Sequence, residues 1–521
     1  MHKLSGMDAM FLYLETDKTP MHIAGLSVCQ PPAGYDGNPF EDFRAQIAAR
    51  LHEVPAFHRK LVATPFDIDH PVWVNADTVD LDYHIQHDCL PKPGTVDQLR
   101  ALIERLHAET LDRSRPLWQF HIIEGVHDEK FGLREGCFAL YTKSHHACVD
   151  GGAGISVMDI ISDREPTPRP PLPKSEIRMY SQRPGFFEML GSAYGRFLQQ
   201  QVDLVAAMPR IASTLGNVAK TAFGEDGWSL KDLGLAPKTR FNTAVEKQRA
   251  YGAQYLSLTE VKAVAKAAGA TINDVVLCLC GGALRRYLQG HDELPDKSLV
   301  AGVPVSLREV GDTSNNNQVA SMMCAIGTDV DDPLERLAAI RANAKRGKSR
   351  LGAVKDIIPQ DYSIFGAPAL LTVLSQLASR TSIVDRLPAF LNVAISNVPG
   401  PRRPMYFAGS KVVAYFPVSI AAHGCALNIT LHSYVDRLDF GLMACRRTVP
   451  DVQVIADGIV EEFARLKAAV EGDVARHADT LGEAKTRSTR AKAARPKSGD
   501  DAPPKAAKSG GNGQAGRPAA E

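Results

Sequence analysis

The stretch Tyr141-Thr142-Lys143-Ser144-His145-His146-Ala147-Cys148-Val149-Asp150-Gly151-Gly152 puts two adjacent imidazoles before a carboxylate and a glycine turn. A neutral imidazole with an ordinary pKa of about 6.5 can take the proton of an alcohol as its oxygen attacks a thioester. It can then return that proton to the leaving thiolate, and no covalent enzyme intermediate is needed. The same residues admit two other readings, a pair of core histidines tied to the carboxylate and a His/Asp chelate for a metal. Such a string arises by chance in roughly two of a thousand chains of this composition, so it carries information.

The elements around the string decide which imidazole can act. Gly136 to Ser144 alternates as a strand, with Phe138 and Leu140 on one face and Cys137, Ala139 and Tyr141 on the other. Continuing that period places His145 and His146 on opposite faces at the strand's end, so one of them faces any given cleft. Asp150-Gly151-Gly152 predicts a turn, and Ala153 to Ile161 a helix that opens on small residues and admits close approach of a ligand. Further strands (Val72 to Asn75) and helices (Phe40 to Leu51, Val96 to Thr110) make an α/β unit over residues 1–165.

Residues 166–238 read as a linker. Five prolines fall between Asp163 and Lys174, and Gly185 to Phe223 repeats apolar residues at helical spacing, with Phe186, Leu190, Tyr194, Leu198, Val202 and Val205 near one side. A second α/β unit, 239–470, has strands at Tyr251 to Leu258 and Leu299 to Leu307 and helices at Thr259 to Ala268, Ile272 to Leu288 and Val452 to Val470. Val412 to Ser419 and Ala426 to Tyr434 read as paired strands across His423-Gly424. Residues 471–521 read as a disordered tail, with eight basic residues against two acids between Lys485 and Lys508.

Sixty Lys and Arg stand against 59 Asp and Glu, so no global field invites nucleic acid. The longest uncharged runs, Tyr362 to Ser379 and Val412 to Val435, are interrupted by Gly and Pro or by His and Asn, so neither reads as a transmembrane helix, and if the protein meets a bilayer it lies on it. Nine scattered cysteines predict reduced, buried thiols of a cytosolic protein, and Cys278 and Cys280 lack the second pair a zinc site needs, so no metal is expected. The opening Met1 to Asp8 carries an acid where a secretory signal has its apolar region, and no export is expected.

His145-His146-Ala147-Cys148-Val149-Asp150-Gly151 matches the HHxxxDG signature of the coenzyme A-dependent acyltransferase superfamily, which includes chloramphenicol acetyltransferase, carnitine acyltransferases and peptide-synthetase condensation domains. More narrowly, residues 1 to about 470 resemble the bacterial wax ester synthase/acyl-CoA:diacylglycerol acyltransferase family. The further motifs run in family order: Leu4-Ser5-Gly6-Met7-Asp8, Pro20-Met21-His22, Pro116-Leu117-Trp118, Asn273-Asp274-Val275-Val276-Leu277 and Ser396-Asn397-Val398-Pro399-Gly400-Pro401.

The resemblance implies an α/β (α+β sandwich) fold of two chloramphenicol acetyltransferase-like domains, with a tunnel between them that acyl-CoA and the alcohol enter from opposite sides. It implies His146 as general base, His145 as its supporting neighbour and Asp150 as an orienting residue, with Arg308 the candidate ion partner of Asp150. Gly151 would let substrate approach the backbone. The implied reaction moves a long-chain acyl group from acyl-CoA, a co-substrate, to diacylglycerol or alternatively to a fatty alcohol, with no permanently bound cofactor. Both acceptors are greasy, so the enzyme would be cytoplasmic and peripheral on the inner membrane or lipid droplets. A lipid-coating protein without turnover is the competing reading, although such a chain would be free to lose its base.

The remaining motif residues have structural readings beside functional ones. Trp118 opens a strand and reads as a core anchor before a substrate contact. Asn273 and Asp274 suit the N-terminal cap of a helix that floors the site, with oxyanion contact as the alternative. Ser396 and Asn397 end a β-like run at a rigid turn, and either could donate to a developing oxyanion.

Overall fold

A computed structural model of the chain describes residues 2–67, 69–148, 157–173, 185–192, 194–195, 199, 235–306, 319–354, 367–381 and 383–493. Two six-stranded sheets dominate it. The N-terminal sheet contains β2 (His22–Gln30), β5 (Ile85–Cys89), β6 (Trp118–Asp128) and β7 (Leu133–His145), following the short β1 (His2–Lys3), β3 (Arg59–Val62) and β4 (Val72–Asn75), which form a separate small sheet. The C-terminal sheet contains β8 (Arg249–Ser257), β9 (Val300–Ser306), β10 (Val319–Ala325), β11 (Val393–Val398), β14 (Leu427–Tyr434) and β15 (Arg437–Cys445). Two strands from the C-terminal half, β12 (Tyr406–Phe407) and β13 (Ser410–Val418), complete the N-terminal sheet in the order β12-β13-β2-β7-β6-β5.

That last arrangement corrects the expectation of a hairpin between Val412 to Ser419 and Ala426 to Tyr434. Both segments are strands, but β14 has its two edges occupied by parallel β11 and antiparallel β15. β13 instead joins the free edge of β2, from Lys411 opposite Gln30 to Val418 opposite Ala24, with a bulge between Val412 and Ala414. Alternation shows that each segment is a strand; it does not say whose edge is open.

The strand that carries the histidine pair lies at the centre of its sheet, antiparallel to β2 and β6. Its Phe138 and Leu140 pack with Phe120 and Ile122 and with Phe43 and Ile47 of α1's successor helix, α2 (Pro39–Arg50), where α1 is Gly6–Leu14. Cys137, Ala139 and Tyr141 face the opposite side, covered by Leu99 and Ile103 of α3 (Val96–Ala108). Burial on both faces explains why apolar residues outnumber the polar ones that a half-exposed strand would show. α2 starts where Asn38 Oδ1 accepts from the N–H of Phe40 (2.9 Å) and Glu41 (3.1 Å), and α3 where Thr95 and Gln98 close a capping box. α3 also packs on β8, so one helix touches both sheets.

In the C-terminal half, α4 (Leu258–Ala267), α5 (Ile272–Gln289), α6 (Pro333–Val354) and the first turns of α8 (Val452–Ala493) bury Val275, Leu279, Leu284, Ile340 and Ile455 against the sheet, with α7 (Ala367–Arg380) preceding β11. Gly281 and Gly282 of α5 permit this approach: a Cβ on the first would lie 2.0 Å from the Ile326 carbonyl oxygen and on the second 2.3 Å from both Arg336 Nη1 and Glu462 Oε2. α8 runs past Val470, where one compact unit (Met1–Val470) ends and a second begins. This helix is described as far as Ala493. Its Ala, Glu, Lys and Arg are strong helix formers that need no buried face to propagate a turn, and 494–521 lie outside the described residues. Among the described residues no single helix is long and apolar enough to cross a membrane.

Candidate active site

β7 ends on His145, which stands opposite His22 of β2. Two of the short motifs fix the main chain here: the His145 N–H donates to the Leu117 carbonyl (3.0 Å), and the His146 N–H donates to the Met21 carbonyl (2.9 Å). Pro116-Leu117-Trp118 and Pro20-Met21-His22 thus serve the same end. Trp118 itself is 2% exposed, stacked between Phe57 (4.4 Å) and His84 (4.2 Å), with its indole N–H donating to the Phe57 carbonyl (3.1 Å). It supports the strand that supports the dyad.

The strand period separates the two imidazoles. His145 is sealed inside at 0% exposure, and His146 is half-buried. His145 Nδ1 accepts the Ala147 N–H (3.1 Å), which assigns its ring proton to Nε2. Nε2 faces Glu15 Oε1 at 3.4 Å, long for a hydrogen bond but close enough to feel the charge. Glu15 is the C-cap of α1, and its Oε1 also accepts the Met21 N–H at 3.2 Å. Its Oε2 accepts from Arg113 Nε (2.9 Å), while Arg113 Nη2 donates to the Leu12 carbonyl (2.6 Å). Burial alone would raise the Glu15 carboxyl; His145, Arg113 and the Met21 N–H outweigh it and hold it at about 2, a carboxylate throughout the physiological range.

His146 lies flat on Phe11 of α1, the ring centroids 3.9 Å apart and the planes 9° from parallel. Burial pushes its pKa down to about 4; a bond to its own backbone opposes this in part, and positive charge on His145 would work with it. The ring is therefore neutral at pH 7, the form that accepts a proton. α1, started by Ser5 Oγ accepting the Asp8 N–H (3.1 Å), supplies both Phe11 and Glu15. Phe11, Glu15 and Arg113 were not legible in the sequence. Their carriers are separated along the chain, and nothing in the spacing of a lone Glu and a lone Arg announces a contact.

Behind the dyad runs a polar layer. His22 Nε2 donates to the His107 carbonyl (2.8 Å), His107 Nε2 donates to the Ser419 carbonyl (2.9 Å), and His107 Nδ1 accepts from the Tyr141 hydroxyl (2.7 Å). Lys143, 1% exposed, caps the C-terminal end of α3 by donating to the carbonyls of Leu106 (3.0 Å) and Glu109 (3.1 Å). Burial lowers Lys143 to about 8 and His107 to about 3.

The other motif residues form a second cluster, where β11 meets α5. The expectation that Asn273 and Asp274 both cap α5 is corrected for Asn273. Thr271 is the N-cap; its Oγ1 accepts the Asp274 N–H (3.2 Å), and Asp274 Oδ2 accepts the Thr271 N–H (2.9 Å). Only the third helical position folds back onto the cap, and Asn273 holds the second. Its side-chain oxygen instead accepts from Asn397 Nδ2 at 2.6 Å, joining two motifs 124 residues apart. Asn397 keeps a second amide N–H for another acceptor. Ser396 sits beside it on β11, opposite Thr430. Asp150, Gly151 and Arg308 lie outside the described residues, as does most of Gly185 to Phe223; Phe186 and Phe187, which are described, are exposed. Cys278 and Cys280 are buried in α5, and among the described residues no three His, Cys, Asp or Glu side chains converge as a metal site requires.

Comparison with known proteins gives this geometry a lineage. Residues 4–276 match the wax ester synthase/diacylglycerol acyltransferase catalytic domain, and residues 315–467 match the WS/DGAT C-terminal domain. A Mycobacterium tuberculosis protein assigned as a diacylglycerol O-acyltransferase is 39% identical over 470 residues, covering 90% of this chain and 100% of the relative. The solved structure of the wax ester synthase/diacylglycerol acyltransferase from Marinobacter aquaeolei VT8 superposes with a TM-score of 0.63 at 30% identity, over 90% of this chain and 100% of that one. The first condensation domain of the calcium-dependent antibiotic synthetase shares the fold alone, at 13% identity and a TM-score of 0.52, over 90% of this chain and 96% of that one. With the histidine pair, the carbonyls that fix it and two halves matched in order, the chain belongs to the wax ester synthase/diacylglycerol acyltransferase family.

Proposed function

We propose that the protein transfers a long-chain fatty acyl group from acyl-CoA to the free hydroxyl of diacylglycerol, making triacylglycerol, with His146 as general base. The observation that carries this reading is the division of labour within the pair: a half-buried, neutral His146 at the strand end beside a sealed His145 whose ring is held by backbone and carboxylate. His146 takes the hydroxyl proton as the oxygen attacks the thioester carbonyl. The tetrahedral oxyanion collapses with cleavage of the C–S bond, and His146 returns the proton to the thiolate, leaving ester and free coenzyme A. Asn397 is the proposed donor to the oxyanion through its remaining amide N–H. Asp150, with Arg308 as its ion partner, orients the loop after His146.

A long-chain alcohol is the second acceptor, since the Marinobacter relative is named for wax ester synthesis as well. Both acceptors are water-insoluble, so the enzyme works in the cytoplasm as a peripheral protein on the inner membrane or on lipid droplets. The test is an assay of the purified full chain and its His146→Ala variant with palmitoyl-CoA and either dioleoylglycerol or hexadecanol. Wild type forms triacylglycerol or wax ester, and the variant loses roughly 100-fold or more. A variant with near-full activity would overturn the role of His146. Wild type without turnover would leave a lipid-coating role.

A further inference from the structure

Over its described side chains, 372–380, α7 is amphipathic the wrong way round for a helix of a protein surrounded by water. The side that faces the protein carries hydroxyls: Ser375 is 9% and Ser379 5% exposed, and Ser375 Oγ donates to the Leu14 carbonyl of α1 at 3.1 Å. The opposite side carries Val373, Leu374 and Leu377, each half or more exposed. At about 100° per residue the centre of this apolar side lies about 170° from that of the serines, so the helix presents leucine to solvent and serine to its own fold. The segment after it continues the pattern, with Ile383, Leu387 and Phe390 all exposed, Phe390 at 68%.

The charges that accompany these side chains have one sign. Arg380 and Arg386 are exposed. Asp385, the acid between Ile383 and Phe390, is turned inward, its Oδ1 accepting from Thr243 Oγ1 (2.8 Å) and from the Ala244 N–H (2.8 Å), which hold its carboxyl below the usual range. An apolar stripe edged by exposed cations, with the nearby acid engaged by Thr243 and Ala244, is complementary to an anionic lipid surface, where leucines enter the acyl boundary and arginines meet headgroup phosphates. The neighbour of α7 adds a reason for this location. α1, on which α7 rests, bears Phe11 stacked on His146 and exposes Leu14 beside the contact.

We infer that α7 and the segment Ile383–Phe390 form the face by which the protein docks on an anionic bilayer, bringing the helix that covers His146 against the layer holding its acceptor. The inference rests on the reading that the acceptor is a membrane lipid, and two readouts separate them. Flotation of the full chain with vesicles of phosphatidylglycerol and phosphatidylcholine, compared with pure phosphatidylcholine, measures docking; acyl transfer from palmitoyl-CoA to a water-soluble short-chain alcohol measures the chemistry without a bilayer. The double variant Leu374→Glu/Leu377→Glu is expected to lose at least about tenfold in vesicle binding and a similar factor in activity on vesicle-borne diacylglycerol, while keeping its rate on the soluble alcohol. Arg380→Ser/Arg386→Ser is expected to weaken binding to the anionic vesicles only. Binding of the double variant equal to wild type overturns the docking face while leaving the acyltransferase reading intact. A wild type that transfers no acyl group to either alcohol overturns that reading while the flotation result stands. If the double variant instead converts a dimer to a monomer in light scattering with no loss of flotation, the face belongs to a second copy of the chain and the inference is wrong.

Discussion

At the end of β7 the N-terminal sheet encloses Glu15, His22, His107, Lys143 and His145, each at 8% exposure or less. The matching interior of the C-terminal sheet encloses Leu427, Ile429, Leu431, Leu442 and the apolar side of α5. Where that second half does bury charge, it closes it. Arg336 and Glu462 pair at 2.7 Å with side chains 0% and 1% exposed, and Glu462 also accepts from Arg286 (2.6 Å) and Arg465 (2.8 Å). Burial is thus put to two uses in one chain. Around the dyad, desolvation keeps imidazoles neutral and a lysine pinned to a helix end; in the C-terminal half, a saturated ion cluster ties α5, α6 and α8 together. Mutations should separate stability from chemistry along this line.

The largest effect is expected in the C-terminal half. Arg336→Leu removes one partner of the buried pair and leaves Glu462 undercompensated, which costs about 3 kcal/mol of folding stability. The midpoint of urea unfolding reads this directly, while kcat of the molecules that remain folded stays within about twofold of wild type, given that the histidine pair lies on the other sheet and that Asn273 sits at the far, N-terminal end of α5. A comparable loss of turnover would show that the two halves are coupled more tightly than their cores suggest.

His146→Ala should invert that result. A loss of about 100-fold in kcat corresponds to about 2.7 kcal/mol of transition-state stabilisation, with the unfolding midpoint almost unmoved because the ring is half-buried and outside the main core cluster. Glu15→Gln is the next step down. The amide keeps the shape but presents His145 Nε2–H with a neutral oxygen and leaves Arg113 without its charge partner, so we expect roughly tenfold in kcat with little change in KM. Glu15→Asp should recover part of the loss. If Glu15→Gln raises KM with kcat unchanged, the carboxylate acts on substrate binding and not on the orientation of the pair.

The contrast between the halves also marks how far the sequence could be read. Alternation from Gly136 to Ser144 was enough to place the two histidines on opposite faces, because a period of two is a local property. The proline and glycine of Ser396 to Pro401 mark a turn for the same reason. Glu15 and Phe11 were invisible because α1 reaches the dyad through tertiary packing, with no periodic signal linking residues 11 and 15 to residue 146. The exchange of β13 into the N-terminal sheet escaped for a related reason: strand propensity does not name a partner. The hydrogen bond from Asn397 to Asn273 lies between, since both motifs stand out in the sequence but nothing in it pairs them.

The smallest and most discriminating effect is in pH. The folded-state pKa of His146 is lowered to about 4, that of His432 on β14 to about 4 by burial, with its ring against Tyr415, and that of His107 to about 3. In the unfolded chain these rings titrate at about 6.5, so below that pH the unfolded state binds protons that the folded state refuses. Their contribution to stability is therefore full above about 6.5 and is lost progressively as pH falls towards the folded values. Activity follows a different group: kcat/KM should hold from pH 7 to about 5 and fall with an apparent pKa of about 4, as His146 alone is protonated in the free enzyme. His432→Asn tests whether the two regions are independent. It should soften the acid destabilisation measured by unfolding midpoints between pH 6.5 and 5, and leave the limb of the activity profile where it is. An activity limb near the ordinary histidine value would mean that the His146 ring is solvated, and the stack on Phe11 would then not be the environment in which the base works.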